Sequence, residues 1–144
     1  MGGSKYETDF YGWANEQAGL LRTRRLNEAD LDNIAEEIDS MGRGEKRELV
    51  NRLAVLLAHL LKWQFQPGLR STSWRLTVIE QRKRLVEHLN DSPSLKPMLP
   101  DALRTAYGYA RLTAQRETGL GDSMFPTTCP YSFEQTVDEQ FWPG

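Results

Sequence analysis

The chain has 144 residues and a net charge of −2, which suits one domain with its own core and is short for two. A hydrophobic share of 39% and a charged share of 26% are typical of a soluble globular protein and exclude a disordered one. The small net charge gives no global signature for nucleic acid or an anionic membrane. A single cysteine, Cys129, excludes an intrachain disulfide and a cysteine-built metal site.

The sequence predicts neither export nor a membrane anchor. The first ten residues lack the long apolar core of a signal peptide. The apolar run of residues 49–61 is too short to span a bilayer and contains polar side chains. We therefore expect a cytoplasmic protein without a membrane partner, and residues 1–5 are expected to be flexible.

Two helices are predicted in the first third of the chain. Thr8 or Asp9 can cap the first. The second follows residues 27–30 and carries an apolar stripe at helical spacing, formed by Leu31, Ile34, Ala35, Ile38 and Met41. Gly42 is placed to terminate it. Of its acidic residues, Glu37 lies beside the stripe and is the one expected to touch the interior.

Residues 48–66 form the most apolar segment and predict the central helix of a bundle. Two adjacent apolar rows recur at helical spacing. They are Leu49, Leu53, Leu56, Leu60 and Trp63, and Val50, Ala54, Leu57 and Leu61. A face this wide needs covering on most of its sides.

The next helix, capped by Ser71 or Ser73 and reaching about Leu89, places two cations in its apolar arc. On a helical wheel Arg75 and Arg82 fall between its apolar rows. Another helix is predicted from Pro100 to about residue 118, followed by a proline-punctuated loop over 119–131. Residues 132–144 are predicted to form a short helix, opened by a capping box, and a tail docked on the body.

Because no segment shows sustained strand alternation, we predict the all-α class. The expected architecture is a single-domain helical bundle over residues 1–144, with about four long helices and two or three short ones.

Several fragments, in order along nearly the whole chain, resemble one bacterial family of unknown function, labelled domain of unknown function 29. These fragments are Tyr6-x-x-Asp9-Phe10-Tyr11-x-Trp13, Ala35-Glu36-Glu37-Ile38 with Met41-Gly42, His59-Leu60-Leu61-Lys62-Trp63, Ser73-Trp74-Arg75, Glu80-Gln81-Arg82, Pro93-Ser94-Leu95, Cys129-Pro130-Tyr131 and Phe141-Trp142-Pro143. The resemblance implies a helical bundle but no reaction, cofactor or ligand.

Arg75 and Arg82 form the main candidate site. A guanidinium keeps its charge in a protein interior, so its burial requires anionic partners. Either Glu37, Asp32 or Glu80 pairs with these arginines, or the two arginines clamp a carboxylate or phosphate ligand. Alternatively, the helix is rotated and both arginines lie at the rim.

His59 and Lys62, at the border of the central helix, complete the candidate anion or ion-pair cluster. His59 is either a hydrogen-bonded boundary residue or a proton shuttle paired with Glu37. We expect neither a metal nor a cofactor, because the two histidines, His59 and His88, lie in none of the known helical metal motifs. A magnesium site on Asp32, Glu36 and Asp39 is a weak alternative.

Three functions are compatible with these features. The leading hypothesis is a protein-interaction module that binds itself or another protein, since catalytic signatures are missing and four tryptophans are present. The second is a binder of, or an enzyme for, a small anion. The third, nucleic-acid binding by the basic segment 62–84, is disfavoured because the wheel directs two of its arginines toward the apolar face.

Overall fold

The computed structural model describes residues 5–144 and is all-α in that range, without strands. Its six α-helices are α1 (Lys5–Thr8), α2 (Phe10–Arg22), α3 (Leu31–Phe65), α4 (Thr72–Asp91), α5 (Leu99–Thr118) and α6 (Phe133–Val137). The predicted all-α class, with about four long helices and a few short ones, is confirmed. Residues 1–4 of the segment predicted to be flexible lie outside the described residues, and Lys5 already belongs to α1.

Side-chain caps set the starts of three helices, as the sequence predicts. Asp9 accepts a hydrogen bond of 3.0 Å from the backbone N–H three residues on, at the start of α2. Ser71 does the same for α4 at 3.2 Å. Ser132 and Gln135 form the reciprocal capping box of α6, with hydrogen bonds of 3.0 and 3.1 Å. Each cap satisfies backbone N–H groups that have no partner inside the helix.

Helix α3 corrects the predicted boundary at Gly42. The two helices predicted on either side of this glycine are one helix of 35 residues. A glycine ends a helix when it adopts the left-handed conformation, as Gly119 does after α5 with φ 74°. Gly42 instead stays helical, at a cost of about 1 kcal/mol, and so does Gly44. The strong helix formers of residues 45–48 then continue the helix.

The described chain divides into two compact units, with the division inside α3 after Gly44. The first unit contains α1, α2 and the start of α3, and polar contacts are prominent in it. The indole of Trp13 donates to Asp30 at 3.1 Å, and the backbone N–H of Asp30 donates to Gln17 at 2.7 Å. The prediction of a single domain stays a prediction.

The second unit, Glu45–Gly144, has a leucine- and alanine-rich core. Helix α3 contributes Leu49, Leu53, Leu56, Leu57, Leu60 and Leu61, all fully buried. Helix α5 presents a face of small residues formed by Ala102, Ala106, Ala110 and Ala114. The large side chains of α3 and the small side chains of α5 belong to the same buried cluster, where residues of different size together fill the core.

Within residues 5–144, no helix combines the length and the apolar character that crossing a lipid bilayer requires.

We predict that Gly42→Ala raises the free energy of unfolding by about 0.5–1 kcal/mol, because alanine favours the helix more than glycine does. A Cβ at this position would meet nothing within 4 Å among the described residues. The measurement is urea denaturation followed by circular dichroism.

Gly119→Ala is the matched control and should be destabilising, because φ there is +74° and the left-handed conformation is strained for alanine. A loss of stability in Gly42→Ala would contradict an uninterrupted α3.

Candidate functional site

Helix α4 turns one row of side chains toward the core, and a charged residue lies within that row. Val78, Arg82, Leu85 and Leu89 are buried, at intervals of four, three and four residues. Arg82 is only 1% exposed. The sequence-based prediction that Arg82 faces the apolar side of this helix is therefore correct.

The hydrogen-bond partners of Arg82 are backbone carbonyls, and not the carboxylates of Glu37, Asp32 or Glu80 that one of the three sequence-based alternatives offered. Its Nε donates to the carbonyl of Thr136 at 2.9 Å. Its Nη2 donates to the carbonyl of Phe141 at 2.7 Å and more weakly to that of Gln135 at 3.4 Å. Burial lowers the pKa of Arg82, but an arginine in a protein remains protonated.

The C-terminal segment, residues 131–144, brings these carbonyls to α4 and is held by its aromatic residues. Tyr131 donates its hydroxyl proton to Gln64 Oε1 at 2.7 Å. The ring centres of Trp142 and Trp63 lie 4.7 Å apart. The guanidinium carbon of Arg82 lies 5.3 Å from the centre of the Trp142 ring, a cation–π contact. The segment and Arg82 thus position each other.

A cavity of about 320 Å³ lies between α4 and the C-terminal segment. Its walls are formed by Arg75, Ile79, Arg82, Lys83, Glu139, Gln140 and Trp142. Arg82 Nη1 is buried and has no hydrogen-bond partner among the described residues. A buried polar group without a partner is rare and costs free energy. The guanidinium therefore keeps part of its donor capacity unused beside a cavity.

Arg75 differs from Arg82, because the structure exposes it. The prediction that both arginines face the interior is wrong for Arg75. The C-terminal segment supplies partners to Arg82, two helical turns further along α4. Arg75 and the exposed Lys83 both line the cavity, and the described residues provide no salt bridge to either.

His59 and Lys62 lie together on α3, beside a carboxylate that the sequence analysis missed. Lys62 is buried and donates to Glu117 of α5 at 2.8 Å, and its Nζ lies 5.0 Å from the centre of the Trp74 ring. His59 Nδ1 lies 2.8 Å from the carbonyl of Val55. Because a carbonyl only accepts, Nδ1 carries the proton and Nε2 faces Lys62 at 3.5 Å. Burial lowers the pKa of His59.

Glu37, the last member of the predicted cluster, has a partner within the first unit. Its carboxylate accepts a hydrogen bond of 2.8 Å from the Tyr6 hydroxyl. Glu36 is exposed and pairs with Arg43 at 3.1 Å. These contacts make Glu37 the more enclosed of the two acids, and they give it a structural role beside Tyr6.

A mixed cluster of Glu45, Glu48 and His88 places its ligand atoms within 4.8 Å of one another. His88 Nε2 lies 2.7 Å from Glu45, and Arg52 binds Glu48 at 2.5 Å. A histidine that binds a metal usually donates its second N–H to a fixed acceptor. His88 Nδ1 finds none within residues 5–144. This cluster therefore fits a metal ion poorly.

The basic segment 62–84 keeps only some of its cations at the surface. Lys62 and Arg82 are buried, and Arg84 pairs with Glu80 at 3.2 Å. A surface that follows a phosphate backbone needs exposed, unpaired cations. Of the cations in this segment, Arg75 and Lys83 are exposed and have no salt-bridge partner among the described residues.

The apolar stripe of the second predicted helix is largely exposed in the structure. Leu31, Ile38 and Met41 are 52%, 58% and 65% exposed, and only Ile34 of the larger stripe residues is half-buried. The polar contacts at the start of α3 instead involve Glu37 on this helix and Asp30, which immediately precedes it. A row of exposed apolar side chains is unusual on a helix of a folded unit.

The fold and the cavity define an all-α protein with a basic cavity between a helix and its own C-terminal segment. The chain belongs to the family described as Domain of unknown function DUF29, whose model matches residues 5–142. The predicted family is therefore confirmed. No curated protein and no solved structure matches the chain.

We predict that Arg82→Ala lowers the free energy of unfolding by about 2–4 kcal/mol, because it removes charged hydrogen bonds and leaves buried carbonyls unpaired. Arg75→Ala is the matched control on the same helix and should change stability by less than about 0.5 kcal/mol. Urea denaturation measures both. Equal losses in the two variants would contradict the different burial of these arginines.

Proposed function

We propose that the protein binds a small organic anion in the cavity between α4 and the C-terminal segment. One observation carries this proposal: Arg82, whose Nη1 atom is buried without a partner among the described residues, lines the cavity. An oxygen atom of a bound carboxylate or phosphate that reaches Nη1 would accept a hydrogen bond from it and recover free energy lost on burial.

The charges around the cavity support the same proposal. Arg75, Arg82 and Lys83 line the cavity together with one carboxylate, Glu139, and Asp138 also acts electrostatically on Arg82, so three cations oppose two acids. The positive excess would attract an anion, and partial exclusion of water strengthens such an attraction. Ile79 and the Trp142 ring provide an apolar wall, as is common where a site holds the organic part of a ligand.

We place this activity in the bacterial cytoplasm. The supporting features are the family, which the resemblance described as bacterial, and the single cysteine. Cys129 is a half-buried free thiol whose pKa is raised by burial, so it needs no oxidising compartment.

Titration with sodium benzoate at constant ionic strength, followed by ¹⁵N–¹H correlation NMR, tests the proposal. We expect saturable shifts at α4 and the C-terminal segment. Lys83→Gln should raise the Kd about three- to tenfold, and Glu139→Gln should lower it by a similar factor, because each removes one charge beside the ligand.

Arg84→Gln is the control, since Arg84 is exposed on the same helix and pairs with Glu80 outside the cavity. Its Kd should stay near the wild-type value. Shifts that never saturate, or an equal weakening in the Arg84 and Lys83 variants, would refute binding in this cavity.

A second candidate function is protein interaction through the first unit, with another copy or a different protein as partner. It is favoured by the exposed apolar stripe on α3, where Leu31 and Ile38 lie two turns apart on one side. Apolar side chains in such a row can enter the groove of a partner helix. The stripe residues and the cavity residues belong to different units, so one function does not require the residues of the other.

We predict that Ile38→Glu abolishes association through this surface, because it places a charge at the centre of the stripe. Light scattering over a range of protein concentrations measures self-association, and pull-down from a bacterial lysate detects other partners. Leu112→Glu is the control, because Leu112 is similarly exposed, at 60%, on α5. A wild-type monomer that captures nothing, or equal effects of both substitutions, would count against this candidate.

A further inference from the structure

The cavity residues of α4 alternate in chemical character along the helix axis. Arg75 comes first, Ile79 follows one turn later, and Arg82 and Lys83 follow after another turn. At about 1.5 Å per residue, the Cα atoms of Arg75 and Arg82 are separated by about 10.5 Å along the axis. The cavity wall therefore presents a cation, an apolar side chain and a cation pair in sequence.

The two charged ends are unequal. Arg82 and Lys83 supply two positive charges together with the buried, unpartnered Nη1 atom. Arg75 supplies one exposed guanidinium, which reaches the cavity from the other side of Ile79. The first end is therefore suited to hold an anionic group by itself, and the second end adds a weaker, more solvated contact.

The part of the ligand between these ends would lie against apolar atoms. Ile79 is half-buried on α4, and Trp142 faces the same cavity from the C-terminal segment. A polar linker there would lose its hydration without finding partners, whereas methylene groups would gain from leaving water.

Resting on the proposed function above, we propose that the ligand is an elongated dianion, with two anionic groups joined by an apolar chain that passes Ile79. One group lies at Arg82 and Lys83, and the other at Arg75. The chemical class that meets this description is an α,ω-dicarboxylate of intermediate length. In suberate, seven carbon–carbon bonds of about 1.5 Å each form a zigzag that separates the two carboxylate carbons by about 9 Å, which is comparable with the axial rise of about 10.5 Å between Arg75 and Arg82.

The experiment is isothermal titration calorimetry with succinate, suberate and the monocarboxylate octanoate, at constant ionic strength and at a pH where every carboxylate is ionised. We expect suberate to bind about fivefold more tightly than octanoate, because it makes one additional contact with a cation. Succinate should bind no better than octanoate, since it is too short to reach both ends.

Two variants locate the ends. Arg75→Gln should remove the advantage of suberate over octanoate, and it should weaken octanoate by less than it weakens suberate. Lys83→Gln should weaken both ligands. Neither side chain is buried, so these variants should fold like the wild type, and a circular dichroism spectrum checks this.

The outcomes separate the ligand class from the proposed function. If octanoate binds in a Lys83-dependent manner and suberate gains nothing, the elongated dianion is wrong and anion binding stands. If suberate keeps its advantage in Arg75→Gln, the second end is misplaced and the inference is overturned. If none of the three ligands binds, both the inference and the proposed function fail.

Discussion

The buried guanidinium of Arg82 is the constraint on which the site depends. A permanent positive charge lies in the apolar row of α4, and it is stabilised by carbonyl groups of the last segment of the chain. A carbonyl carries only a partial charge, so these hydrogen bonds compensate a full charge less completely than a carboxylate would. Asp138 and Glu139 add a longer-range electrostatic stabilisation, and on our proposal a bound anion would complete it.

The same arrangement explains how a short C-terminal segment can build one wall of a cavity. The helix within it, α6, has five residues, too few to be stable by its own hydrogen bonds. Its position depends instead on the capping box, on the Arg82 hydrogen bonds and on aromatic contacts such as that of Trp142 with Trp63. A ligand at the cavity would therefore contact a wall whose order depends on Arg82 itself.

The two units differ in what their interiors contain. The second unit buries a continuous set of leucines and alanines, which accounts for a stable framework around the cavity. In the first unit, side-chain hydrogen bonds from Tyr6 and Trp13 reach acidic residues, while apolar side chains of α3 remain exposed. A ligand site and a partner surface would thus belong to different parts of the chain and use different physical forces.

The individual helices could be predicted from the sequence because their causes are local. The leucine rows of residues 49–61 and the caps Asp9, Ser71 and Ser132 act within a few residues of themselves. The helix boundary predicted at Gly42 was wrong, because a glycine ends a helix only when it adopts the left-handed conformation, and its helical neighbours can prevent this. Among the site residues, the helical wheel predicted correctly that Arg82 points inward, but it predicted the same for Arg75. Periodicity predicts the direction of a side chain, but it does not predict whether another segment of the chain covers that side chain.

By itself, the sequence determined the helical class, the apolar segment at the centre of the second unit and the inward direction of Arg82. Only the tertiary structure decided that Arg82 meets carbonyls, that Lys83 and Trp142 share its cavity, and that Glu117 accompanies Lys62. The physical reason is that helical periodicity and capping act over one or two turns. The partners of a buried charge, in contrast, come from segments more than fifty residues away, as the hydrogen bond from Arg82 to Thr136 shows.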